Sequence, residues 1–256
     1  MRLKTKQYLL SRRKLLTCVA ALIAYPTIVK AGQMSLLGAG KASGGAPPPA
    51  YENLAFRGEA SSEFTSNPTT FNDCAIGSAS ADRMVIVSVY GATESASVTM
   101  TIGGVSASLL AEIESNLYKL GIYSAMVPTG TTANIVISDG GSFNGKRIVW
   151  WTVDAYNISA GTPIENDIEE DEIFPVSGVT VPSGGFTLAV LGSTEEEVDV
   201  TINQSFVIRA NNNNTIGLPI SLAAADRETV MGSSTVTWDT SRVTEHLSIF
   251  LPFTPN

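Results

Sequence analysis

The sequence predicts an all-β protein, an antiparallel two-sheet β-sandwich of jelly-roll-like type behind a flexible N-terminal arm. Three observations predict it. Short strand-like segments recur about every 12 residues from about Thr70 onward, with Gly, Pro, Asn and Asp between them. Helix-period segments are almost absent. No strand–helix alternation occurs, which excludes doubly wound and (β/α)8 folds.

In chain order the first candidate strand is Met84–Tyr90, a β-branched run suited to burial on both faces. Val98–Ile102 alternates and stops at Gly103-Gly104. Leu109–Glu114 suits a helical turn or an extended segment equally. Tyr118, Leu120, Ile122, Ser124 and Met126 share one side of the next strand, which ends at Pro128-Thr129-Gly130. Asn134–Ile137 and Arg147–Val153 complete a first half. A second half follows the turn Pro182–Gly185, with candidate strands at Phe186–Val190, Val198–Ile202, Phe206–Ile208, Thr235–Trp238 and His246–Leu251. Between the halves, Glu165–Glu172 carries six acids in eight residues and is expected to be solvated. Val127-Pro128-Thr129-Gly130 and Val181-Pro182-Ser183-Gly184 echo one another.

Three domain-level segments result: a leader at 1–31, a Gly/Ser/Pro linker at 32–50 and one large sandwich at 51–256. The leader holds seven bases and no acid, with an apolar run from Leu15 to Ala24 behind Arg12-Arg13-Lys14. It resembles an export signal ending near Val29-Lys30-Ala31. Its run is shorter than the ~20 residues a bilayer span needs. Met34-Ser35-Leu36 also looks like a translation start, which would make 1–33 an upstream extension or an assembly arm.

Composition bounds the chemistry. Beyond the leader, nine bases face all 24 acids, a net charge of -15. Such a body repels nucleic acid and anionic lipid, so neither nucleic acid nor membrane is an expected partner of the folded part. Two Cys cannot build a disulfide framework or a Cys-rich zinc site, and a single His excludes any site needing two imidazoles.

The candidates for chemistry are few. His246 with Ser248 or Ser205 and Asp239 would be the only nucleophilic triad, but no Gly-x-Ser-x-Gly elbow is present, and a half-exposed strand position explains His246. Paired acids could cleave glycosides; Glu112, Glu114, Asp139 and Glu195–Glu197 have no spacing that sets them apart from surface acids. Oxygen-rich loops at 165–172, at 195–199 and at Asn211–Asn214 near Asp226 could hold a hard cation, without any EF-hand spacing. No catalytic residue, metal site or cofactor is therefore expected, and the chain reads as non-enzymatic. Surface contact is assigned to Trp150 or Trp151, of which a regular strand turns one outward, and to Asn212 and Asn213 at a loop tip. Cys74 reads as a buried thiol, or else as half of an intermolecular disulfide.

A set of short motifs carries a resemblance. Ala81-Asp82-Arg83 precedes an apolar strand, and Val98–Gly104 ends in Ile-Gly-Gly before Val105-Ser106-Ala107. Val127-Pro128-Thr129-Gly130-Thr131-Thr132, the Trp150-Trp151 strand and Val181–Phe186 follow. Over residues 70–251 this order resembles structural proteins of tailed bacteriophages and prophages of alphaproteobacterial type. The resemblance implies a virion β-sandwich with a decoration, fibre or tail-associated role. Its partners would be other virion proteins, further copies of itself, or a host surface glycan, and it supplies no catalytic motif. The alternative class is an exported carbohydrate-binding or adhesive module, periplasmic or secreted.

Overall fold

A computed structural model describes residues 51–63, 67–92, 97–115, 117–140, 144–195, 199–212 and 220–256, with the backbone alone at 144, 168–172 and 242–244. The leader, the linker and Asn213 lie outside the described residues. Pro47–Asn256 forms one compact unit. None of its described residues lies in a helix, so no helix there is long and apolar enough to cross a membrane.

Sixteen strands follow in order: β1 Tyr51–Ser62, β2 Thr69–Ala75, β3 Arg83–Ala92, β4 Thr99–Ile102, β5 Val105–Ser106, β6 Ser108–Glu114, β7 Tyr118–Met126, β8 Thr132–Ser138, β9 Asn144–Ala155, β10 Ile158–Ala160, β11 Ile164–Val181, β12 Phe186–Ser193, β13 Thr201–Ile202, β14 Val207–Asn212, β15 Ser221–Arg227 and β16 Met231–Pro255. All the pairings are antiparallel. The all-β antiparallel sandwich expected from the sequence is what the chain forms, but it has three sheets. One has the order β1-β9-β3-β7-β6, a second β2-β8-β4-β5, and a third β10-β16-β12-β15-β14 with β11 and β13 also on β16.

The third sheet repeats the first two. β12 lies between β16 and β15 as β3 lies between β9 and β7, and β14 is the edge strand where β6 is. The long strands β11 and β16 each do the work of two strands of the first half: their outer lengths pair as β2 pairs with β8. Even an irregularity recurs. The β2–β8 register slips between Phe71 and Cys74, around left-handed Asp73, and the β11–β16 register slips between Val176 and Val179, around left-handed Gly178. A bulge with the equivalent position in the same backbone region, Asp in one half and Gly in the other, is a positional feature rather than an accident.

The cores follow the same plan. Ile86, Leu120, Ile122, Val149, Trp151 and Val153 from the first half meet their counterparts Leu188, Leu222, Ala224, Ile249, Leu251 and Phe253 in one shared core. The opposite faces build separate cores. Val87, Val89, Ile135 and Trp150 pack in one, and the matching Ala189, Leu191, Val236 and Phe250 in the other. Contacts between the halves are reciprocal, β7 on β16 and β15 on β9, β6 on β11 and β1 on β14. That reciprocity is the pattern of an approximate two-fold axis between two equivalent units. The Val-Pro echo of the sequence is out of step with this repeat, because Val127 follows β7 whereas Val181 ends β11.

Several local expectations change. Leu109–Glu114 is extended, as β6. The acidic run Glu165–Glu172, expected as a solvated stretch between the halves, lies in β11: antiparallel pairing engages the backbone, so Glu165 and Asp167 stay exposed while Phe174 and Val176, further along the strand, turn inward. Asn211 and Asn212 belong to β14 rather than to a loop tip.

Candidate functional site

A polar cleft of about 530 Å³ opens where β1, the start of β3 and the end of β9 meet the 77–82 loop. Its polar lining is Asn53, Arg57, Ser78, Arg83, Thr152 and Asp154. Two register shifts in β1, between Glu52 and Ala55 and between Phe56 and Gly58, fall within this stretch of the strand and re-aim its side chains. Within the first of them Asn53 adopts a left-handed backbone and donates from Nδ2 to Asp154 Oδ2 at 2.8 Å.

Arg83 begins the most buried strand of its half and is itself 2% exposed. Its guanidinium is used up by carbonyl oxygens: Nε donates to Val127 (2.8 Å), Nη2 to Thr129 (2.6 Å), and Nη1 to Ser78 (2.7 Å), Gly77 (3.0 Å), Gly130 (3.1 Å) and Ile76 (3.2 Å). It staples the 76–78 loop to the 127–130 turn. Burial pulls its pKa down, Asp154 opposes that shift, and the charge of Arg57 adds to it. Arg57 is fixed by Nε donating to Thr152 Oγ1 at 2.6 Å. Gly77, at φ +73°, lies against its Nη atoms, where a Cβ would collide. The cleft thus holds two guanidiniums against the single carboxylate of Asp154. Tyr156, 52% exposed, stands nearby, its hydroxyl donating to Glu52 at 3.3 Å; its pKa is raised by desolvation and by Glu52, Asp154 and Asp82.

No family model, curated protein or solved structure matches this chain.

The residues singled out in the sequence fall elsewhere. Trp150 and Trp151 are both buried, at 6% and 0%, because their sheet is covered on both faces; neither is a surface contact. Trp150 Nε1 donates to Ala75 O at 2.9 Å, and Trp151 Nε1 to Asp226 at 3.1 Å. Asn212 is also buried and donates to Ala60 O at 2.9 Å, tying β14 to β1. Asn213 lies outside the described residues. His246 is fully buried, not half-exposed, with the Phe174 ring 5.2 Å away, while Ser205 and Asp239 are exposed. Ser248 accepts from Trp238 Nε1 at 3.2 Å. These groups do not converge into a triad.

Of the candidate carboxylates, Glu112 and Glu114 both pair with Lys119, and Asp139 with buried Lys146 at 2.9 Å, while Glu196 and Glu197 lie outside the described residues. Asp226 takes Arg209 at 2.9 Å. Among the described residues no three His, Cys, Asp or Glu side chains are grouped to hold a metal ion. Cys74 is a buried free thiol whose pKa burial raises.

The cleft residues were missed in the sequence. One signal pointed to them: only eight bases occur in 51–256, so each stands out in an acidic chain, and Arg57 is among them.

Proposed function

We propose that this chain is a non-enzymatic structural protein of a tailed-phage or prophage virion, a decoration, fibre or tail-associated component contacting neighbouring virion proteins or the host surface. The observation that supports this reading is where the buried polar groups go. Arg83, Lys146, Asp226, Asn212 and Trp151 all tie separate segments of the chain, or its two halves, together, so the chemistry of the interior serves rigidity. A stiff acidic slab built from two matched sandwiches suits a load-resisting part on a particle exterior. The sequence motifs named above point to the same class. Imaging particles with and without this chain tests the proposal: a defined density should vanish when the gene is deleted, and unchanged particles would refute it.

The polar cleft favours a second reading, an exported carbohydrate-binding or adhesive module. Mature protein beginning at Gly32 in a periplasmic or secreted fraction would support that reading over the first.

A further inference from the structure

We infer that the Arg57 cleft is a binding site for a saccharide bearing a single carboxylate. This goes beyond the virion reading and does not rest on it, since it concerns the isolated chain.

Charge is the first ground. Residues 51–256 contain eight bases, and the side chain of Arg242 lies outside the described residues. Four of the remaining seven, Lys119, Lys146, Arg147 and Arg209, are in ion pairs. Of the three whose described hydrogen bonds reach no carboxylate, two line this one cleft: Arg83 spends its protons on carbonyls, and Arg57 donates only from Nε. In a strongly acidic body this is a focus of positive charge, and the planar fork of Arg57 suits a carboxylate.

The second ground is the repeat. In the second half the position matching Arg83 is Gly185, where the Phe253 carbonyl occupies the space a side chain would take. Pro252 stands where Thr152 does and closes on Gly161, whose N–H donates to its carbonyl at 2.7 Å. The loop joining the core residues Val181 and Phe186 is also shorter than the one joining Ile76 and Arg83, which supplies the Gly77–Ser78 wall. The scaffold closes without a cleft in one copy and opens one in the other, so the opening is not a by-product of the fold.

The third ground selects the ligand. Asn53, Ser78, Thr152 and Asp154 offer the hydroxyl, amide and carboxylate groups that ring hydroxyls bond, and Tyr156, exposed and outside the lining, follows Asp154 by two residues. Apolar lining is limited to short stretches of Leu54, Ala55 and Val153, too little for a peptide side chain anchor. Glu52 and Asp82 lie close enough to Tyr156 to raise its pKa. Such acids disfavour a polyanion and leave room for one carboxylate.

Calorimetric titration of the full chain tests this with sialyllactose and a glucuronate-terminated disaccharide, each beside its methyl ester, and with lactose, acetate, polygalacturonate and an acidic peptide. At least one mono-acidic saccharide should bind, its ester at least tenfold more weakly, and Arg57→Gln should lose at least tenfold with an unchanged melting temperature. If Arg57→Gln does not fold, Gly77→Ala, which keeps every charge but displaces the Arg57 fork, should give the same loss. No binding by either saccharide, equal binding of ester and acid, equal binding by the folded variant, or stronger binding of acetate, polygalacturonate or the peptide would each overturn the assignment.

Discussion

Tyr90 and Gly192 occupy matching positions in the two halves and touch each other across the shared core. A Cβ built on Gly192 would overlap the Tyr90 ring. Near a two-fold axis equivalent residues meet, and here the pair is resolved by making one large and the other absent. Gly192→Ala should therefore cost about 1–3 kcal/mol as overpacking. Tyr90→Leu should relieve much of that cost, so a double-mutant cycle read by chemical denaturation should show strong coupling. Additive effects would mean that the two halves do not pack this way.

The Tyr90 hydroxyl is fully buried without a hydrogen-bond partner among the described residues. Burial, then Tyr118, Glu245 and Asp167, raise its pKa well above the ordinary value. Tyr51 and Tyr123 shift the same way, burial again leading. A raised phenol favours the neutral form in the fold, so its contribution is full below the unfolded pKa of about 10 and is lost as pH rises above it. Melting temperature should fall steeply above pH ~10, and Tyr90→Phe should soften that fall while costing little at neutral pH.

Lys146 and Asp139 form an ion pair at 2.9 Å with side chains 0% and 1% exposed. Removing one partner leaves a buried charge, so Asp139→Asn or Lys146→Met should cost about 3–5 kcal/mol in denaturant midpoints. The double replacement by Leu and Met should recover most of it. A single-variant cost under about 1 kcal/mol would show that the pair is solvated.

Cys74 is 5% exposed and its thiol pKa is raised by burial. Iodoacetamide at pH 8 should leave the native chain unmodified over hours and label it once unfolded, as followed by intact mass. Rapid native labelling would place the thiol at the surface and reopen an intermolecular disulfide.

Much of the fold was legible from residue pattern. Met84–Tyr90 and Phe186–Val190 announce central strands, and in the structure all eight residues of β12 are buried. What escaped reading has physical reasons. Ser221–Arg227 holds three consecutive alanines, good helix formers, yet it is a strand because it pairs with β12 on one side and β14 on the other and buries both faces, with Ala224 in the shared core and Ala225 behind it. Trp150-Trp151 alternate as expected, but alternation tells the side of a sheet and not whether that side is covered. The duplication was hidden because core counterparts such as Trp151 and Leu251, or Tyr90 and Gly192, share position without sharing size. The cleft was least legible, since it depends on Arg57, Ser78 and Asp154 arriving from three separate segments.

The most direct measurement of the proposed role is quantitative mass spectrometry of particles purified from the strain that carries this gene. The chain should be present at a fixed copy number relative to the major capsid protein, and should remain through a density gradient. Its absence from particles, with recovery of the same chain in the periplasm or medium, would contradict a virion role.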